Sequence, residues 1–133
     1  MILKKMIEKY DATLLLEQAA HKSSTNQYYP FEIIADKAFI IDWRPMLTAL
    51  LGDIPLQSKN LIAAKFHNTL AEMLLNIAQG QNNSKIVLSG GCFQNAYLTE
   101  ACCKKLESAG FSVYTHEKIP PNDGGLALGQ LYA

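Results

Sequence analysis

The sequence predicts an α/β fold, and three observations carry that prediction. Apolar residues recur at helical spacing over 2–21, 58–77 and 96–109. Short runs rich in β-branched and aromatic residues lie among those segments, at Phe31 to Ala35, Ala38 to Trp43, Ile86 to Leu88 and Phe111 to His116. The third run ends in Ser89-Gly90-Gly91 just before a helical segment, which is a strand, a glycine turn and a helix start.

Taken in order, Leu3, Met6, Ile7, Tyr10 and Leu14 alternate with polar residues at helical spacing, so 2–21 is expected to be helical, with Asp11 a cap if the run divides there. His21 to Gln27 is polar and rich in Ser, Thr and Asn, hence a loop. The next two β-favouring runs flank a tight Asp36-Lys37 connection and predict a hairpin. Pro45 suits the first turn of a helix whose apolar face is Met46, Leu47, Leu50 and Leu51 and whose end is Gly52. Ser58 is the expected cap of a longer helix, with Ile62, Phe66, Leu70, Met73, Leu74 and Ile77 forming a core-facing stripe. His67 and Asn68 fall beside that stripe, where a histidine is more often a hydrogen-bonded structural residue than a ligand.

Gly80 to Ser84 is a loop before the buried strand Ile86 to Leu88. The helix from about Ala96 to Ala109 stops at Gly110, and Cys102 shares a face with Leu98 and Leu106 as a small core residue. Phe111 to His116 alternates as a strand does. Pro120 and Pro121 then prevent regular structure, and Asn122-Asp123-Gly124-Gly125 introduces a last helix from Leu126 to about Tyr132. No repeat, linker or low-complexity tract divides 1–133, which reads as one domain.

The composition narrows the function. The chain has 133 residues, 49% hydrophobic and 18% charged, with 12 basic and 12 acidic side chains. Zero net charge offers no general attraction to nucleic acid or to an anionic membrane. No apolar run approaches the roughly 20 residues that span a bilayer, and Met1 to Tyr10 lacks a signal-peptide core, so a cytoplasmic location is expected. The three cysteines, Cys92, Cys102 and Cys103, form no CxxC pair and argue against a disulfide framework or a structural zinc site. Cys92 lies in the glycine turn, where a small side chain fits a crowded loop.

Two glycine turns are the candidate chemistry. Adjacent glycines let main-chain N–H groups approach an anion, and a following helix presents its positive end. Ser89-Gly90-Gly91 has neither GxGxxG spacing nor the Lys-Ser or Lys-Thr pair of a P-loop, so a turn without a ligand and a phosphate site both remain open. At the second turn, Asp123 either caps the last helix or holds a divalent cation beside phosphate.

The segments Ile-Val-Leu-Ser-Gly-Gly-Cys-Phe-Gln-Asn (86–95) and Ile-Pro-Pro-Asn-Asp-Gly-Gly-Leu-Ala-Leu-Gly-Gln (119–130) closely resemble the C-terminal end of the hydrogenase-maturation carbamoyltransferase HypF. Ala63 to Ala71 resembles that family's helix before the glycine turn, and Tyr28-Tyr29-Pro30-Phe31 the entry to its hairpin. The resemblance implies one lobe of an actin-like, RNase H-like ATPase fold, with a small mixed sheet flanked by helices. It implies an enzyme that uses ATP and carbamoyl phosphate to make carbamoyl-adenylate and passes the carbamoyl group to the C-terminal cysteine of a HypE-type acceptor. By carry-over, Ser89, Gly90, Gly91 and Asn95 would line the nucleotide, Gly124 would join them, and Asp123 would hold a divalent metal ion. The family usually has Tyr-Glu-Gly where this chain has Tyr10-Asp11-Ala12, so Asp11 would keep the carboxylate that meets ribose.

The resemblance extends to the last lobe of such an enzyme and not to its preceding lobe or its acylphosphatase-like, zinc-finger and YrdC-like regions, so 1–133 is expected to be a fragment of a longer protein or a truncated homologue. The chain alone is therefore expected to turn over little and to self-associate through the surface that should meet the missing lobe. A threonylcarbamoyl or O-carbamoyl transferase lobe, and a non-catalytic interaction module of the same fold, are the competing readings. Phe93-Gln94 and Asn122-Asp123-Gly124-Gly125 favour HypF.

Overall fold

Residues 13–35 and 38–116 are described by the structure, a computed structural model of the chain. Residues 13–21 are helical (α1), and an extended loop leads to a hairpin of Glu32–Ala35 (β1) and Phe39–Asp42 (β2). Helices Arg44–Asp53 (α2) and Lys59–Gln79 (α3) precede the strand Lys85–Val87 (β3). A 3-10 turn at Gly91–Gln94, the helix Ala96–Ser108 (α4) and the strand Ser112–Tyr114 (β4) follow. The strands form two separate two-stranded sheets, β1–β2 antiparallel and β3–β4 parallel. Expectations about 1–12, the 36–37 connection and 117–133 lie outside the described residues, and with them Asp11, Asp123, Gly124 and the last helix.

Helix α3 is the centre of the packing. Ser58 caps it as expected: its backbone is extended and its Oγ accepts from the Leu61 N–H at 3.2 Å. The deepest face, however, is Ala63, Ala64, His67, Asn68 and Ala71, so His67 and Asn68 are on it rather than beside it. Small side chains let α1 and α4 approach closely, and the larger Phe66, Leu70 and Leu74 fill partly buried flanks. The predicted stripe is thus core-facing in part: Met73 is buried beside Tyr29 and Met46, and Phe66, Leu70 and Leu74 pack on the clusters from the flanks.

Below α3, Tyr29 anchors the hairpin. It is fully buried, its N–H donates to Thr69 Oγ1 at 2.8 Å, and its hydroxyl donates to Asp53 Oδ2 at 3.0 Å. Burial first, and the Asp53 carboxylate second, push the phenol up to about 12. Lys65 Nζ meets the same carboxylate at 2.5 Å and stands 4.3 Å from the centre of the Tyr29 ring. Phe31 and Ile41 pack on Tyr29, Met46 and Met73, while Ile34 and its cross-strand partner Ile40 face solvent. Helix α2 runs through Gly52 to Asp53, because the next residue, Ile54, stays right-handed and no left-handed residue stops the helix there. Met46 is its one buried side chain, and Leu47 and Leu51 are exposed.

The main core joins α3, α4 and one face of β3–β4, with Leu88, Leu98, Cys102 and Leu106 buried. Helix α4 ends in a Schellman motif: the Phe111 N–H donates to Leu106 O at 3.0 Å and the Gly110 N–H to Glu107 O at 3.0 Å, with Gly110 at φ 91°. That reversal sends the chain straight into β4. The expected buried strand is covered on one face only. Ile86 and Leu88 turn inward, whereas Val87 and its partner Tyr114 are 68% and 51% exposed.

Candidate functional site

The site begins where the parallel pair ends. Val87 is paired with Tyr114, so two residues further along the same face come Ser89 and His116, and His116 Nε2 is 2.9 Å from Ser89 Oγ. Both side chains lie at the carboxyl ends of neighbouring parallel strands, the edge at which open α/β sheets take ligands. The sequence singles out Ser89 and places His116 only at the end of the last strand. The signal for pairing them is the strand register, which becomes visible only once β3 and β4 are aligned.

Gly90 then takes φ 110° and ψ 160°, a conformation essentially reserved for glycine, and Gly91 opens the 3-10 turn. The turn is closed by the Phe93 N–H on Gly90 O at 3.1 Å and the Asn95 N–H on Cys92 O at 3.2 Å. Thr99 Oγ1 adds a bond to Phe93 O at 3.0 Å. The strand-turn-helix reading therefore holds, with a turn of 3-10 helix inserted between the glycines and α4.

Asn95, expected to line a nucleotide, is the N-cap of α4. Its Oδ1 accepts from the Leu98 N–H at 2.9 Å, which orients the amide so that Nδ2 faces His67 Nε2 at 2.8 Å. His67 Nδ1 donates to Ala63 O at 2.7 Å, so Nε2 is the ring's acceptor and the tautomer is fixed by its partners. Glu17, from α1, accepts from the Ala96 N–H through Oε1 at 2.8 Å. The positive end of α4 is thus met by the chain's own groups. The main-chain N–H groups of the glycine turn lie just before this capped end. Tyr97 completes this corner, with its ring edge-on to both His21 and His67 at 5.2 Å and its hydroxyl donating to Asn68 Oδ1 at 3.3 Å.

The cysteines separate cleanly. Burial pushes the Cys102 thiol up to about 12, and it packs between Leu98 and Leu106 as expected. Cys92 is exposed in the turn. Iodoacetamide at pH 8 should therefore alkylate Cys92 well before Cys102 in the folded chain, as read by peptide mass mapping. Equal labelling rates would mean that the α3–α4 core is open.

An open groove of about 860 Å³ lies elsewhere, between the 22–26 loop and the helices α3 and α4, lined among others by Lys22, Glu72, Tyr97 and Lys104. None of Ser89, Gly90, Gly91 or Asn95 lines it, and its walls carry both charges. Among the described residues no group of three or more His, Cys, Asp or Glu side chains could hold a metal ion, and no helix is long and apolar enough to cross a membrane.

The family model described as "Carbamoyltransferase, Kae1-like Domain, second subdomain" matches residues 5–130. The chain belongs to the HypF carbamoyltransferase family. It is 41% identical over 123 residues to the carbamoyltransferase HypF of Synechocystis, covering 92% of this chain and 16% of that protein. HypF2 of Cupriavidus necator is 36% identical over 73% of this chain and 12% of its own length. Among solved structures, full-length HypF in its phosphate- and nucleotide-bound form superposes with a TM-score of 0.82 at 37% identity, over 90% of this chain and 16% of that one. HypF of T. kodakarensis superposes with a TM-score of 0.65 at 25% identity, over 88% and 16%. This HypF-family chain therefore corresponds to the C-terminal lobe, with the fold of those relatives, and spans 12% to 16% of their length.

Proposed function

We propose that this chain is the nucleotide-facing lobe of a cytoplasmic HypF-type enzyme that makes carbamoyl-adenylate from carbamoyl phosphate and ATP. The carbamoyl group then passes to the C-terminal cysteine of a HypE-type acceptor. One observation carries the reading: the Ser89-Gly90-Gly91 turn lies at the carboxyl edge of the parallel pair, in a chain whose solved relative is a nucleotide- and phosphate-bound HypF. The exposed Val87–Tyr114 face supports the reading of a lobe within a larger protein, since parallel sheets are ordinarily covered on both faces.

In this reading the main-chain N–H groups of the glycine turn and the Ser89 hydroxyl donate to phosphate oxygens, and Asp11 meets ribose. Such fixed donors stabilise charge that develops during adenylation without a nucleophilic side chain. Gly124 shapes the second turn and Asp123 offers one hard oxygen to a divalent ion. With no other donor cluster among the described residues, the remaining ligands of that ion would come from phosphate, water and the rest of the polypeptide. A bound ion would neutralise phosphate charge. One wall of the cleft is on this chain, so little turnover is expected from it alone.

Two measurements test the reading. In a full-length HypF carrying this segment, Asp123→Ala should abolish carbamoyl-phosphate-dependent AMP formation, whereas unchanged activity would return Asp123 to a capping role. ATP with a divalent ion should also slow alkylation of Cys92, which sits inside the turn. Absence of both protection and calorimetric binding in the full-length protein would remove the nucleotide role of these loops.

A further inference from the structure

We propose that His67 is a positioning residue for the glycine turn, acting through the side chain of Asn95. The inference rests on the proposed nucleotide role of the turn, but its structural half can be tested without a ligand.

A continuous chain of hydrogen bonds carries it. It starts at Ala63 O on α3, passes through both nitrogens of the buried His67 ring and both ends of the Asn95 amide, and finishes at the Leu98 N–H on α4. Every link is between 2.7 and 2.9 Å. Asn95 is also the residue whose N–H closes the 3-10 turn on Cys92 O. Fixing its side chain therefore fixes the exit of the turn, while the end of β3 fixes its entry. The His67 ring cannot slide, because it is 2% exposed and wedged edge-on between the Phe66 and Tyr97 rings, with centroids 5.8 and 5.2 Å away.

A structural histidine could have been tied off by backbone alone. Here its second nitrogen is spent on the one side chain at the junction of turn and helix, linking the most buried face of α3 to the donors aimed at phosphate. A phosphate cradle depends on such prior fixation, since donors that must reorganise on binding lose much of their electrostatic value. The two internal bonds use one Asn95 Nδ2 hydrogen and one Oδ1 lone pair, so they orient the amide while leaving its second hydrogen and lone pair for a ligand.

The test compares His67→Gln, whose carboxamide oxygen can accept from Asn95, with His67→Leu, which cannot. Asn95→Ser serves as a third variant: it keeps a cap oxygen for Leu98, and its shorter side chain removes the amide group that donates to His67. Hydrogen exchange of the 89–95 amides in this chain should speed up about tenfold in His67→Leu and Asn95→Ser and stay near wild type in His67→Gln. Nucleotide affinity in a full-length HypF carrying the same changes should weaken about tenfold in the same two variants and be rescued in His67→Gln. If the exchange of 89–95 is unchanged in His67→Leu, or rises no more than in the rest of the chain, the positioning role is overturned. If exchange responds but the wild-type enzyme binds no nucleotide, the positioning of the turn stands and the proposed function falls.

Discussion

Leu106→Ala is expected to destabilise the fold by about 2–5 kcal/mol, measured as the loss in unfolding free energy by chemical denaturation. Leu106 is fully buried at the middle of the α3–α4–sheet core. Its buried neighbours include Ala71, Ala78 and Cys102, which are too small to swing into the space a leucine leaves. The cavity should then persist, which puts the cost toward the upper part of that range. A second contribution comes from position. Leu106 O accepts the Phe111 N–H of the Schellman turn, and the Phe111 side chain packs on the same cluster, so the turn that delivers β4 loses its apolar support. Leu56→Ala is the control: Leu56 is 76% exposed, and its loss should move stability by no more than about 0.5 kcal/mol. A Leu106→Ala cost below about 1 kcal/mol would mean that α4 repacks freely, and the register that brings His116 to Ser89 would then need another source.

What could be read in the sequence divides along a physical line. The Ser58 cap, the antiparallel pairing of β1 with β2, the Gly110 stop and the core role of Cys102 are local or periodic signals. Each was recoverable because its cause lies within a few residues. The buried face of α3 is legible only in part: Met73 of the predicted stripe is buried, but a stripe drawn through large apolar residues underweights alanines that are buried because they are small. Gly52 looks like a stop in the sequence, yet a glycine ends a helix in that way only where it turns left-handed, and Gly52 does not. At the candidate site, the glycine turn was legible as a turn. Its partners were not: Glu17, His67 and His116 reach it across 79, 28 and 27 residues of sequence. No spacing rule covers such contacts, so the bond between His67 and Asn95 is invisible until α3 and α4 are packed together.

Gly90→Ala should cost about 1–3 kcal/mol of stability, although the added methyl group would have room. A Cβ built on Gly90 meets nothing within 4 Å, so the cost is one of backbone conformation, imposed by φ 110° and ψ 160°. Gly91 separates that effect from ligand binding. Its Cβ would also meet nothing within 4 Å, and its φ is not positive, so Gly91→Ala should shift stability by no more than about 0.5 kcal/mol. On the proposed reading, the same methyl would stand where main chain approaches phosphate, and nucleotide affinity in a full-length HypF should fall while the melting temperature holds. The two variants thus give different signatures for one turn. Gly90→Ala should lose stability and binding together, and Gly91→Ala should lose binding alone. Full nucleotide affinity in Gly91→Ala would make the turn a structural corner whose glycines serve β3 and α4, and would move the phosphate contact to the Ser89–His116 edge.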